Sequence, residues 1–353
     1  MSEINENGVW KKIQAQIKTF NNTGLEIKLV NCSYENNDLI NKFQKKLNSN
    51  YFIKNLPDDF FLYDFYYIRY GYSTIPFLGI IRKIKQQRKN KLIIEMPTYP
   101  YHKEFKSGFD QINKFIDNVM CRKLKKYADR ITTYSKHESI YGIPTIKLRN
   151  GIECSLINIK HKKYLDNSTI NLIAIANFCY WHGYDRLING LSKYVSYGLK
   201  KNIIIHFVGD GPELIKYKRM VQQYGLSKYV IFYGILIGEE LTKVINNVDI
   251  GVCSLGGHRK QIYLSSELKS REYLAHGLPI LSSMKIDILP DNFKYCQYVS
   301  EDESFVDMRL VLQFYHDLME DNKNMSYEIR NFAEKNCDMA ITMKPIINYI
   351  YYE

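Results

Sequence analysis

The chain has 353 residues and carries 49 Lys and Arg against 37 Asp and Glu, a net charge of +12. Because 45% of its residues are apolar, it can bury a sizeable core, and a mainly disordered chain is excluded. No apolar run approaches the roughly 18 residues of a membrane-spanning helix, and the first residues lack the basic and apolar segments of a signal peptide. We therefore expect a cytoplasmic protein.

The elements of the first half alternate between helix and strand. Apolar residues at helical spacing predict a helix over residues 9–20, which Gly24 ends. Strands are predicted at residues 25–30, 65–69, 92–95 and 130–134, with basic helical stretches between the later ones. Strand, helix, strand at this spacing is typical of a parallel sheet.

The second half repeats this alternation more clearly. Strands are predicted at residues 170–176, 203–208, 230–233, 250–254 and 279–282. Helices are predicted at residues 184–197, 212–224, 239–246 and 268–276. This order indicates a doubly wound α/β domain.

The charge divides unequally between the halves. Residues 1–165 carry 29 basic and 15 acidic residues, whereas residues 166–353 carry 20 and 22. The basic clusters comprise Arg82, Lys83, Lys85, Arg88, Lys89, Lys91, Arg122, Lys123, Lys125, Lys126, Lys160, Lys162 and Lys163. These basic residues would attract anionic lipid, a phosphate-bearing substrate or nucleic acid. The alternative is that they form an ordinary solvated surface. Nucleic acid is disfavoured because no recognised binding motif accompanies the charge.

A charged and turn-forming stretch near residues 155–170 predicts the join between two domains. We expect an amino-terminal Rossmann-like domain over residues 1–165 and a carboxy-terminal one over residues 166–335. Residues 336–353 would form a terminal helix that crosses back to the first domain. Two such lobes predict a ligand cleft between them, at the carboxyl ends of their strands.

The strongest candidate site follows the strand predicted at 250–254. There Gly256 and Gly257 let backbone amides approach an anion, and Arg259 and Lys260 supply positive charge. Ser266 then precedes a helix, whose free N–H groups and dipole favour an anion. The alternative is structural: Ser266 caps this helix, and Glu272, one turn inside it, pairs with Arg271 or Lys269 on a solvated face.

Seven cysteines without a C-x-x-C pair favour reduced thiols over a disulfide framework or a zinc site. No D-x-D motif is present to hold a metal. The glycine turn at residues 209–212 lacks G-x-G-x-x-G, which disfavours a dinucleotide-dependent oxidoreductase. We therefore expect chemistry without a bound cofactor or metal.

The stretch from Lys269 to Pro279 has the pattern K-x-x-E-Y-x-A-x-G-x-P, and the stretch from Glu95 to Tyr101 reads E-x-P-T-Y-P-Y. These motifs resemble GT-B retaining glycosyltransferases of the glycosyltransferase group 1 type, in particular bacterial surface and capsular polysaccharide members. Weaker matches in the same order lie at residues 8–13, 133–135, 150–152, 181–186 and 209–212. Together they span nearly the whole chain.

The resemblance implies a GT-B fold, with two Rossmann-like doubly wound domains facing across a cleft. The domain at residues 1–165 would bind the acceptor, and the domain at residues 166–335 would bind the nucleotide-sugar. It implies transfer of a sugar from a UDP- or GDP-sugar to a growing surface polysaccharide or lipid-linked oligosaccharide, without a metal. Together with the basic first half, it suggests a protein that docks peripherally at the anionic inner face of the cell membrane.

The site residues follow from this resemblance. Glu272 would bind the ribose of the donor, and His182 would either contact a phosphate or stack on Trp181. His102 would orient an acceptor hydroxyl, or is a surface-loop histidine. The other donor-binding candidates are Gly8, Gly256, Gly257, Ser266, Leu268 and Lys269. The catalytic candidates are His102, Glu267, Arg259 and Lys260.

Three departures from the family pattern matter. The strand expected before Gly8 is short or absent, and Leu264 stands where many relatives carry a first glutamate, the nearest acid being Glu267. Asn177 and His182 occupy positions where relatives often hold the diphosphate with Arg and Lys, so that Arg259 and Lys260 would substitute. These departures leave an alternative: a non-catalytic or weakened GT-B subunit that binds glycan, lipid or a partner glycosyltransferase.

Overall fold

In the computed structural model, the described residues are 8–31, 53, 56–86, 89–101, 109–160, 169–198, 202–321 and 324–353. The chain divides into two compact units. The amino-terminal unit comprises Gln16–Leu148 and Met343–Glu353, and the carboxy-terminal unit comprises Met1–Ala15 and Arg149–Thr342. The division falls at Leu148, earlier than the stretch expected from sequence, because residues that follow it hydrogen-bond within the carboxy-terminal unit. Ile152, for example, donates its backbone N–H to the Cys337 carbonyl at 2.9 Å.

The amino-terminal unit contains a five-stranded sheet in the order β1-β2-β3-β5-β4. Its strands are β1 Phe65–Arg69, β2 Lys91–Met96, β3 Arg130–Thr133, β4 Ser139–Ile140 and β5 Ile143–Lys147. Strands β1, β2, β3 and β5 run parallel, and only β4 is antiparallel to its neighbour. The helices α1 Gly8–Asn22, α2 Ile75–Ile84, α3 Phe109–Met120 and the final α11 Lys344–Tyr352 accompany them; α1 crosses the division between units. Central strand β2 is an apolar run with its interior buried, as expected when helices cover both faces of a parallel sheet.

The strands expected at 65–69, 92–95 and 130–134 are confirmed, whereas the one expected at 25–30 is wrong. Those residues form no strand, although their burial partly alternates. Alternation predicts an extended chain, but a strand also requires a neighbour with which to exchange backbone hydrogen bonds. Within the described residues, β1 pairs only with β2, so residues 25–30 have no such neighbour.

The carboxy-terminal unit contains a six-stranded parallel sheet in the order β13-β11-β9-β6-β7-β8. Its strands are β6 Thr169–Ile175, β7 Asn202–Val208, β8 Val230–Gly234, β9 Ile250–Val252, β11 Ile280–Ser282 and β13 Cys296–Tyr298; β10 Leu264–Ser265 and β12 Lys285–Ile286 form a separate pair. The helices are α4 Tyr184–Ser196, α5 Leu214–Gln223, α6 Gly238–Ile245, α7 Leu268–Ala275, α8 Met308–Asp321, α9 Met325–Asn336 and α10 Met339–Thr342. The strand order reverses between β6 and β9. Ligands of doubly wound sheets bind beyond the carboxyl ends of the strands at such a switch point.

Tyr273 ties α7 to this switch point. Its hydroxyl accepts the Ile175 backbone N–H at 2.9 Å, at the carboxyl end of β6. Its ring packs on Gly251 of β9 so closely that a Cβ there would lie 2.4 Å from Tyr273 Cγ. A larger residue at 251 would therefore displace α7. None of the described helices is both long and apolar enough to span a bilayer.

Candidate functional site

Two loops meet where the strand order reverses: one follows β6 and the other follows β9. Gly183 in the first has φ 64°, and a Cβ on it would lie 2.6 Å from the Gly256 backbone nitrogen in the second. The Leu255 N–H donates to the His182 carbonyl at 2.8 Å. The glycines let the two backbones touch, which brings side chains from both loops to one place.

Two lysines approach this junction. The Lys260 ammonium lies 3.3 Å from the centroid of the Trp181 ring, a cation–π contact. No carboxylate pairs with it within the parts of the chain that the structure describes. The Lys269 ammonium donates to the Tyr184 hydroxyl at 3.2 Å and lies 3.8 Å from Glu267 Oε2. Of these two cations, only Lys269 lies within ion-pair distance of a carboxylate among the described residues.

His182 lies between these lysines as a neutral ring. The Cys179 backbone N–H donates to its Nδ1 at 3.0 Å. The imidazole stacks on Tyr184 with an interplanar angle of 11°. Burial, together with the charges of Lys269 and Lys260, lowers the pKa of His182 to about 2.

Glu267 joins the loop after β9 to the start of α7. Its carboxylate accepts the Ser254 backbone N–H at 3.1 Å and the Ser254 hydroxyl at 2.7 Å. It occupies the N-cap position of α7, where the helix dipole favours a negative charge. Glu267 therefore holds the loop on the helix, and the sequence alone gave no sign of its partner Ser254.

The alternative in which Ser266 caps α7 is wrong, because Glu267 is the N-cap residue. The Ser266 hydroxyl instead accepts the Asn150 backbone N–H and an Arg271 N–H, both at 3.2 Å. Leu268 and Lys269 open the helix, and first-turn N–H groups have no acceptor within their own helix. These donors lie beside the Lys269 side chain.

Glu272 lies one turn into α7 without a hydrogen-bond or ion-pair partner among the described residues. Its expected alternative partner Arg271 turns away and pairs with Asp287. Burial raises the pKa of Glu272, while the charges of Lys11 and Lys269 partly offset this effect. A half-buried carboxylate with free oxygens can accept hydrogen bonds from a ligand.

Arg259 has all five N–H donors engaged. Its guanidinium donates to both oxygens of Asp185 at 3.1 Å, to Glu303 at 2.8 and 2.6 Å, and to the Tyr180 carbonyl at 2.6 Å. The hydrogen bonds that it donates to Glu303 raise the pKa of Arg259 above the ordinary value. This arrangement leaves no donor for a phosphate, so it does not support the expectation that Arg259 binds one. No spacing in the sequence indicates that Asp185, Arg259 and Glu303 lie together.

The remaining candidates fall in three places. Gly8 is the first residue of α1, and His102 lies outside the described residues. Gly257 packs against Met284, whose Sδ would lie 2.1 Å from an added Cβ. The two loop glycines therefore serve close packing. No group of acidic, cysteine or histidine residues suited to a metal ion occurs in the described ranges.

No protein-family model matches the chain, and no curated protein matches its sequence significantly. Solved structures do match. Sucrose-phosphate synthase from Thermosynechococcus elongatus is 12% identical with a TM-score of 0.65, covering 98% of this chain and 94% of that one. The lipopolysaccharide outer core galactosyltransferase WaaB is 14% identical with a TM-score of 0.61, covering 98% and 96%. Anabaena HepE, solved with UDP and glucose, is 11% identical with a TM-score of 0.59, covering 95% and 89%.

These neighbours are GT-B glycosyltransferases, and the match extends over nearly the full length of this chain. The protein therefore has the GT-B fold, with a Rossmann-like parallel sheet in each of its two units. The expected fold class is confirmed.

Proposed function

We propose that this protein is a retaining glycosyltransferase that transfers a sugar from a nucleoside diphosphate donor to a surface polysaccharide or lipid-linked acceptor. One observation carries the donor half of this proposal: Lys260, Lys269, His182 and Glu272 converge where the carboxy-terminal sheet reverses its strand order. The solved structures of HepE with UDP-glucose and with UDP and glucose support a nucleotide-sugar as the donor.

The chemistry requires stabilisation of a leaving diphosphate as the glycosidic bond breaks. In our proposal, Lys260, Lys269 and the first-turn N–H groups of α7 provide it. A cation about 5 Å from a phosphate contributes roughly 3 kcal/mol at an effective dielectric constant of about 20. Because these groups are fixed before the reaction, they stabilise developing charge without reorganisation.

Glu272 would accept hydrogen bonds from the ribose hydroxyls and so orient the donor. We expect Glu272→Gln to weaken donor binding by about 10- to 150-fold, the cost of a hydrogen bond to a charged group. The measurement is calorimetric titration with UDP-, GDP- and other nucleotide sugars, using the exposed Glu240→Gln variant as control. Unchanged affinity in a folded Glu272→Gln variant would refute this role.

The same panel of UDP-, GDP- and other nucleotide sugars tests the proposal as a whole. A ligand present at 100 times its dissociation constant stabilises the folded state by about 2.7 kcal/mol, which a melting experiment detects. If no nucleotide sugar raises the melting temperature, the donor assignment is wrong. The retaining outcome rests on the sequence resemblance; NMR of the transferred sugar in the glycosidic product should show the anomeric configuration of the donor.

We further propose docking to an anionic membrane through the amino-terminal unit. Phe115 and Val119, one turn apart on α3, are exposed, and the basic turn Cys121–Lys126 follows them directly. Four exposed cations there could contribute about 1 kcal/mol each near an anionic surface. Lys85 does not belong to this set, because it pairs with Asp129 at 2.9 Å.

The test is cosedimentation with vesicles. Binding to anionic but not neutral lipid should be lost in the variant with Arg122, Lys123, Lys125 and Lys126 changed to Gln. A matched variant removes four exposed cations from the carboxy-terminal unit: Lys218, Arg219, Lys228 and Lys243 to Gln. Equal loss in both variants, or equal binding to neutral vesicles, would contradict the proposed surface.

A further inference from the structure

The two nitrogens of the His182 ring differ in their roles. The backbone N–H of Cys179 points at Nδ1 from 3.0 Å. A backbone amide always carries its proton, so Nδ1 must accept with its lone pair. The proton of the neutral ring is therefore on Nε2, and the contact selects one tautomer.

The surroundings oppose a second proton on this ring. Lys269 on α7 and Lys260 in the loop after β9 both place positive charge near it, and burial removes it from water; its pKa falls to about 2. On its α4 side, the ring stacks on Tyr184, at a centroid distance of 5.6 Å. Tyr184 is uncharged, since burial raises the pKa of its phenol far above the ordinary value. Glu267, the nearby carboxylate, is held by Ser254 and Lys269.

The Nε2–H group has no acceptor among the described residues, although it lies beside two cations that attract anions. We propose that His182 is a neutral hydrogen-bond donor, through Nε2–H, to the diphosphate of the nucleotide-sugar. This inference rests on the proposed function and specifies how its anion subsite works. Lys260 and Lys269 supply positive charge, while His182 supplies a directional hydrogen bond. A third cation at the position of His182 would be repelled by the two lysines.

The tautomer can be tested without any ligand. In the full chain labelled with ¹⁵N-histidine, His182 is assigned by the signal missing from the His182→Asn variant. We expect one protonated and one unprotonated ring nitrogen, unchanged from pH 8 to pH 5. A ring that gains a proton near pH 6.5, the ordinary histidine pKa, or that carries its proton on Nδ1, would overturn the inference.

The donor role can be tested with two substitutions that each preserve one half of the ring. His182→Asn keeps an acceptor near Nδ1 but loses the Nε2 donor, and His182→Gln keeps a donor near Nε2. We expect Asn to weaken binding of the best nucleotide-sugar of the UDP and GDP panel by about tenfold or more, and Gln by less than about threefold. Binding of the free nucleoside should be unchanged in both variants. His316→Asn, at an exposed position on α8, serves as control.

Equal losses in the two variants, or an equal loss for the nucleoside, would show that His182 only supports the loop. The pH dependence adds a separate criterion. If a protonated His182 were required, nucleotide-sugar affinity would fall about tenfold per pH unit above ~6.5, whereas a neutral donor predicts no such decline between pH 6 and 8. If no nucleotide-sugar binds the wild type, the proposed function fails, and the tautomer experiment still decides the state of the ring.

Discussion

Arg259 and Lys260 are adjacent in sequence, yet the structure predicts opposite consequences of removing their charges. The Arg259 guanidinium binds the carboxylates of Asp185 and Glu303 and a backbone carbonyl. The Lys260 ammonium contacts the Trp181 ring and pairs with no carboxylate among the described residues. Arg259→Met should therefore lower stability and Lys260→Met should lower affinity for the diphosphate. Methionine keeps an apolar stem of similar length in both cases.

The magnitudes follow from burial. The side chains of Arg259 and Asp185 are 12% and 14% exposed, so removing the guanidinium leaves a largely buried carboxylate with Lys216, at 2.9 Å, as its remaining cation. Breaking a fully buried pair costs about 3–5 kcal/mol, and the partial exposure and the Lys216 contact lower our expectation to about 2–3 kcal/mol. Glu303 is 63% exposed, and its pair adds little. For a unit of this size the melting temperature should fall by about 4–12 °C.

Lys260→Met should leave the melting temperature within about 2 °C of the wild type, since surface changes cost little. Its nucleotide-sugar affinity should fall by about 10- to 100-fold, equivalent to about 1.4–2.8 kcal/mol. Melting curves and calorimetric titrations of both variants, with free nucleoside as the second ligand, provide the comparison. If Arg259→Met retains full stability but loses diphosphate affinity selectively, Arg259 contacts the ligand and the reasoning is wrong.

Three further outcomes are expected. Tyr184→Phe keeps the ring under His182 but removes the acceptor of Lys269, so diphosphate affinity should fall by about three- to tenfold while nucleoside binding stays constant in titrations. Glu267→Gln should raise the exchange rate of the Ser254 amide, measured by hydrogen exchange, because a neutral acceptor holds it less firmly. Hydrogen bonds from Arg259 lower the pKa of Glu303 to about 2, so the small stability that this exposed group contributes is present above its unfolded pKa of about 4.3 and is lost as pH falls towards 2. Acid titration of Arg259→Met should lack that component; an identical acid profile would contradict it.

The sequence predicted five of the six strands of the carboxy-terminal sheet because each of the five is a short apolar run bounded by glycine, proline or polar turns. It missed β13, whose three residues Cys296–Tyr298 do not form such a run. Its prediction at residues 25–30 was wrong because local alternation says nothing about a pairing neighbour. The candidate site could be predicted only in part for the same reason. Lys269 and Glu272 lie in a recognisable motif, whereas the Arg259–Asp185–Glu303 group joins residues from three separate segments. Whether a cation is free to bind a ligand depends on partners that are distant in sequence but close in space.

The buried arginines of the carboxy-terminal unit and the lysines of its candidate site have different roles. Arg186 is buried and donates to the carbonyls of Leu255, Ser300 and Ser304, and Arg271 is buried with Asp287. A planar guanidinium with five fixed donors suits such multiple acceptors, and once they are filled it has nothing left for a ligand. Lysine is a compact charge on a flexible stem, which leaves it able to follow a phosphate whose position changes as a bond breaks. Hence the arginines fix the loops after β6 and β9, and in our proposal Lys260, in the loop after β9, and Lys269, on α7, supply the charge for the ligand.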